Sequence, residues 1–300
     1  MMRRAVPLAL VLLVACGSKE PEPIAPVAIT PPPPPRAASS APPSPATAAA
    51  RPDTPPTLPL TEAFRDRLMD EVSSTEPDGQ LFHTAFAAER ARDLPKARVR
   101  YFELIQKFPS SPLIPYAYLA FAESFAAENK PDLATVAYQE VLKHPPPKNR
   151  AYAYAWCRLG AVHLAAHEPE RALDAERKAI AAVASDRSTP EAARVDAAAR
   201  ETLVSAYVVV GRPDRARAFF ASIPGGPGPL VAAVAGTFDE RGDVNAAALV
   251  LESSLDAGRD DAVCAAAVRL LAAHGTSAPG SAAASSLPRL DARRRAVCGP

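Results

Sequence analysis

The feature that most constrains the fold is a recurring pair of residues. Alanines stand at positions 97, 134, 172, 216 and 247, separated by 37, 38, 44 and 31 residues. After four of them a large apolar residue follows one helical turn later: Tyr101, Tyr138, Phe220 and Leu251. After Ala172 the same place holds Glu176. Residues four apart share a helix face, so each pair predicts a helix with a small residue and a large one on its inner side. Upstream of each alanine runs a second apolar stripe. Its members are Leu81, Ala85 and Ala88; Tyr118, Phe121, Ala122 and Phe125; Trp156, Leu159 and Gly160; Leu203 and Tyr207; and Val231, Val234, Ala235 and Phe238. Gly211-Arg212-Pro213-Asp214 and Gly242-Asp243 supply turn signals just before the second helix of their units. Self-similarity at this period predicts stacked helical hairpins that share one continuous core.

The unit around Trp156 carries a closer pattern. Trp156-x-x-Leu159-Gly160 is followed by Ala172 and then Ala179. This resembles the tetratricopeptide repeat, a helix–turn–helix unit in which a Gly or Ala on helix A seats against a small Ala on helix B. The resemblance covers about 200 residues in five units, and Glu176 departs from it by replacing the usual helix-B aromatic. It implies an all-α superhelix of antiparallel helix pairs. Ala97, Ala134, Trp156, Leu159, Gly160, Ala172, Ala216 and Ala247 would pack the repeats together. The A helices would line a concave face, turning Phe82, Phe86, Arg90, Tyr116, Leu119, Glu123 and Tyr154 toward a partner. That set is aromatic with few charges and suits an apolar helix or an extended peptide. The long gap near Ser185 to Pro190 suggests a lengthened turn. Phe108-Pro109-Ser110-Ser111 followed by Ala117, echoed by Lys148-Asn149-Arg150-Ala151, is similar to repeats of outer-membrane assembly lipoproteins and Tol–Pal-linked periplasmic proteins.

Before the repeats the chain reads differently. Met1-Met2-Arg3-Arg4 is cationic, and Ala5 to Ala15 is apolar and too short to span a bilayer, the layout of a secretory signal peptide. It ends in Leu13-Val14-Ala15-Cys16, which resembles the lipobox of bacterial lipoproteins, implying that Cys16 is lipidated. Two or more acyl chains make such an anchor stable. Gly17 is not the enteric inner-membrane retention signal, so the resemblance points to an outer-membrane, periplasm-facing protein, with inner-membrane or surface orientation left open. Residues 17 to 60 contain fifteen prolines and should form an extended, disordered tether. Thr61, Phe64, Leu68 and Val72 open a lead-in helix. The expected organisation is a signal peptide over 1–15, a lipidated Cys and Pro-rich linker over 16–60, the repeat domain over 61–275, and a flexible tail over 276–300.

Charge and motifs narrow the function. A net charge of +1 lacks the basic excess of a general nucleic-acid binder, so no nucleic-acid partner is expected. There is no phosphate loop, no G-x-S-x-G elbow and no CxxC pair, and the expectation is a non-enzyme with no cofactor, catalytic residue or metal. His163 and His167 could share a helix face, but they read as a packing residue and a turn residue. Cys157 reads as a small buried or groove-lining thiol. A Cys264–Cys298 disulfide would tie the tail to the last helices, and Arg293-Arg294-Arg295 reads as a solvated charge run. The sequence therefore points to a membrane-anchored scaffold that binds envelope proteins or peptides. The alternative is a ligand-binding or enzyme-associated envelope protein with a metal or glycan site.

Overall fold

A computed structural model describes residues 68–187, 191–275 and 283–299. The expected signal peptide, Cys16, the expected tether and the start of the expected lead-in helix lie outside the described residues. After the helical residues 68–71 of the lead-in segment, the described residues form α1 Pro77–Arg90, α2 Leu94–Lys107, α3 Ile114–Ala127, α4 Pro131–Leu142, α5 Tyr152–Ala165, α6 Pro169–Ser185, α7 Ala192–Val210, α8 Ala216–Phe220, α9 Gly228–Glu240, α10 Val244–Asp256, α11 Asp261–His274 and α12 Ala283–Cys298. No strand occurs among the described residues. The helices pack as consecutive antiparallel pairs in a tetratricopeptide-like, all-α array.

The repeat is written most clearly in the turns within the pairs. Five residues before the helix-B alanine, the backbone adopts positive φ at Arg92 (62°), Asn129 (56°), His167 (60°) and Gly242 (79°). At each turn the next N–H reaches back five residues: Asp93 to Ala88 O, Lys130 to Phe125 O, Glu168 to His163 O and Asp243 to Phe238 O, at 2.8–2.9 Å. This Schellman closure ends helix A and reverses the chain. Asp93 and Asp243 then accept from Lys96 N and Ala246 N to cap helix B, and prolines preset the first turn of α2, α4 and α6. His167 is therefore a turn residue. Gly211, in the same place of the fourth pair, has φ −76°. That unit instead uses a short 3-10 turn, Pro213–Arg215, before the five-residue α8.

The helix-B alanines 97, 134, 172, 216 and 247 are all at most 2% exposed, and Leu159 and Gly160 are buried. Small residues let the helices approach closely, and large neighbours fill the seam. Tyr101, Tyr138, Phe220 and Leu251 are among the largest fully buried side chains. Trp156 is half-buried, with Lys178 Nζ 4.5 Å from its ring centre.

Two expectations are corrected. The extra residues between Ala172 and Ala216 are taken up mostly by helix, and residues 188–190 of the expected long turn lie outside the described residues. The helices are extended, with α6 reaching 17 residues and α7 reaching 19. The segment 276–300 is not a flexible tail throughout, because Ala283–Cys298 is α12, the second helix of a sixth pair with α11. Leu287 and Leu290 are buried. Ser286 Oγ donates to Asn245, while Arg289 and Arg293 pair with Glu252 and Asp256. Both sets of partners ascend in number, so α12 runs parallel to α10, as successive B helices must. Cys264 and Cys298 are joined in a disulfide that closes this pair. The arginine run is thus engaged, with Arg294 and Arg295 also paired to Asp291.

Candidate functional site

The seven side chains expected on a concave face do not form one. Phe82, Tyr116, Leu119 and Tyr154 are between 2% and 6% exposed and belong to the core. Phe82 meets the Tyr101 ring edge-on at 5.4 Å. The alanine-lined seams leave space that these side chains fill, so they serve packing, and Tyr116 in addition borders the cleft described below. Phe86 is half-buried and Arg90 exposed, with the guanidinium 5.9 Å from the Phe86 ring centre. On α3 the half-exposed aromatics Tyr118, Phe121 and Phe125 line one edge, with successive ring centres 6.3–6.5 Å apart.

Glu123 is instead the centre of an inter-pair clasp. Its Oε1 accepts from Tyr138 OH at 2.6 Å, Tyr154 OH at 3.0 Å and Arg158 Nε at 3.1 Å, and its Oε2 from Arg158 Nη2 at 3.3 Å. These donors come from α4 and α5, so one carboxylate on α3 ties the second pair to the third. Burial, and then the Glu123 charge, push both phenols well above their ordinary range. Near the end of α5, buried His163 shares Nδ1 with Glu168 Oε2 at 2.7 Å. Among the described residues no group of three His, Cys, Asp or Glu is placed to hold a metal.

A cleft of about 330 Å³ opens where three segments meet: the lead-in residues and the start of α1, the α2–α3 turn, and the α4–α5 turn. Its apolar walls are Leu68, Val72, Pro112, Leu113 and Tyr116, and its charged rim is Glu71, Glu76, Asp78, Lys148 and Arg150. The parts are locally held. Ser111 Oγ donates to Asp78 at 2.6 Å, and the Arg150 N–H donates to Tyr116 OH at 3.2 Å. Arg150 Nη1 reaches both Glu71 oxygens at 2.9 Å across 79 residues. Burial raises the Tyr116 phenol above its usual range. Asn149, only 1% exposed, donates to Val141 O and His144 O and accepts from Ala151 N, which fixes the α4–α5 turn. Sequence reasoning marked Tyr116 but missed the rim. Glu76, Lys148 and Arg150 lie in turns, Glu71 and Asp78 at helix ends, and only the Lys148–Ala151 echo draws attention to two of them, Lys148 and Arg150.

The fold and this cleft define a class: an all-α array of helical hairpins with a mixed apolar and charged cleft at one junction. No protein-family model matches the chain, and no curated protein does. Among solved structures it is similar to PilW, a type IV pilus biogenesis factor, with 16% identity over 74% of this chain and 94% of that chain and a TM-score of 0.38.

Proposed function

We propose that this protein is a non-catalytic scaffold of the bacterial cell envelope, anchored by lipid at Cys16, that captures an extended segment of another envelope protein. The observation that carries the capture site is the cleft. Its volume lies in the range of specific binding pockets, and it pairs apolar walls with a few converging polar groups. An extended segment suits it, because apolar side chains would fill the walls while its polar groups meet the carboxylates and cations of the rim. The lipobox-like Cys16 and the Pro-rich segment support a module carried on a tether, with a reach of at most roughly 130 Å for about 44 residues. The Cys264–Cys298 bond fits an oxidising compartment.

The test is fractionation and co-purification from membranes of the bacterium that makes the protein. Wild type should sediment with the outer membrane and bring down one or a few envelope proteins. Cys16→Ser should shift it out of the membrane fraction. Glu76→Lys with Lys148→Glu should lose the partner while the helical circular dichroism is kept. A partner retained by the rim variant overturns the cleft as the capture site, and a bound metal or glycan would favour a ligand-binding role instead.

A further inference from the structure

The third helix pair contains a group that a packed core should not tolerate. Glu176, on α6, has 0% exposure. Neither of its carboxyl oxygens has a hydrogen-bond partner. It occupies the place taken by Tyr101, Tyr138, Phe220 and Leu251 in the other seams. Opposite it stands Gly160 of α5, where even a Cβ would lie 2.3 Å from Glu176 Oε1. The Cys157 thiol on α5 and the Thr202 hydroxyl on α7 act on it, but neither meets the geometry of a hydrogen bond. The charged group facing it is Arg158 of α5, which is already committed to Glu123. A carboxylate here would be buried, unpaired and unsolvated, an arrangement that strongly opposes the charged form.

We propose that Glu176 sits in this seam as a neutral carboxylic acid and makes the α5–α6–α7 junction a pH-sensitive joint, closed when the acid is protonated and loosened as the pH rises. The same seam in the first two pairs shows the contrast. There the B-helix residue is a tyrosine whose hydroxyl donates to a carboxylate on the preceding A helix, Tyr101 to Glu89 at 3.0 Å and Tyr138 to Glu123 at 2.6 Å. In the third pair the carboxyl group lies on the B helix itself, and Gly160 and Cys157 face it from α5. The joint lies near the middle of the array, with α1–α4 before it and α8–α12 after it.

The direction follows from linkage. Burial, the largest influence, raises the Glu176 carboxyl well above its ordinary range, outweighing the Cys157, Arg158 and Thr202 neighbours. An opened junction hydrates the group and returns it to the ordinary carboxylate range. Closure is therefore fully favoured below that range and weakens as the pH rises toward the raised value. Over the interval in which only the open form is ionised, opening gains as much as about tenfold per pH unit. Cys157 is buried in the same seam, and burial also raises its thiol, so it is unreactive while the joint is closed.

The test uses the full chain and reads Cys157 alkylation by iodoacetamide, quantified on its own peptide by mass spectrometry, from about pH 6 to about pH 9. Glu176→Gln keeps the shape and removes the ionisation, and Glu176→Leu removes the polar group as well. The ratio of the wild-type to the Glu176→Gln labelling rate should rise at least about tenfold across that range. Dividing by the variant cancels the intrinsic thiolate dependence of the reaction. Glu176→Leu should show the same flattened profile, and it serves as the reference if the buried amide of Gln weakens the fold. A constant ratio against either variant overturns the proposal, because Glu176 would then not govern the opening.

Discussion

Gly160 and Glu176 are mutually exclusive with any larger residue at 160: the missing Cβ would fall 2.3 Å from Oε1, 2.6 Å from Cδ and 2.9 Å from Cγ of Glu176. Glu176 is fully enclosed, so moving it aside displaces side chains packed around it. Gly160→Ala should therefore cost about 1–3 kcal/mol of overpacking, against a helix-propensity gain of about 1 kcal/mol. In a Glu176→Ala background the clash is gone and the same change should become stabilising by up to about 1 kcal/mol. Chemical denaturation of the four proteins of this cycle measures the reversal of sign.

The clasp at Glu123 gives a second expectation. Removing the carboxylate leaves Arg158 and two phenols with no acceptor at their meeting point. Arg158 has a side-chain exposure of 10% and Glu123 one of 25%, so the pair is largely shielded. Glu123→Ala should lose about 3 kcal/mol or somewhat less, because uncompensated buried charge is costly. Adding Arg158→Met should recover part of that loss. A double variant no more stable than Glu123→Ala would show that the stranded charge was not the cause.

The disulfide should hold the last pair. Cys264 and Cys298 are 34 residues apart. Breaking that link, by reductant or by Cys264→Ser with Cys298→Ser, should cost about 2–4 kcal/mol. Hydrogen exchange should place the loss in α11 and α12. The burial of Leu287 and Leu290 should keep α12 docked at low temperature even without the bond.

Glu128 carries an explicit pH signature. Hydrogen bonds from Lys130 and then Arg98 hold its carboxyl down to about 2. A depressed carboxyl favours the folded state above the ordinary carboxylate range and loses that contribution as the pH falls toward 2. Following its side-chain carboxyl by NMR should show the low midpoint, and Lys130→Ala or Arg98→Ala should each raise it toward about 4.3. An unmoved midpoint in both variants would contradict these partners.

Much of the fold is legible in the sequence, and the reason is local. A small residue followed one turn later by a large one defines a helix seam without tertiary information, and the alanines at 97, 134, 172, 216 and 247 all lie in such seams. The outward face is less legible, because it depends on how far each pair rotates against the next. That rotation buries Tyr116, Leu119 and Tyr154, which repeat geometry had turned toward solvent. The sixth pair escapes a hydrophobic reading because α12 carries few apolar anchors. Its polar side chains make sense only beside Asn245, Glu252 and Asp256 of α10. The cleft rim escapes for a similar reason: Glu71 and Arg150 lie 79 residues apart and meet only once the turns have stacked.

The central claim is that the cleft captures a protein segment, and site-specific photo-crosslinking in living cells tests it most directly. A photoreactive residue in place of Lys148, on the cleft rim, is compared with one in place of Val136, an exposed position on α4 that does not line the cleft. The account predicts one or a few discrete protein adducts from position 148, absent from position 136 and lost when Glu76→Lys is added. No adduct from position 148, or the same adducts from both positions, would contradict it.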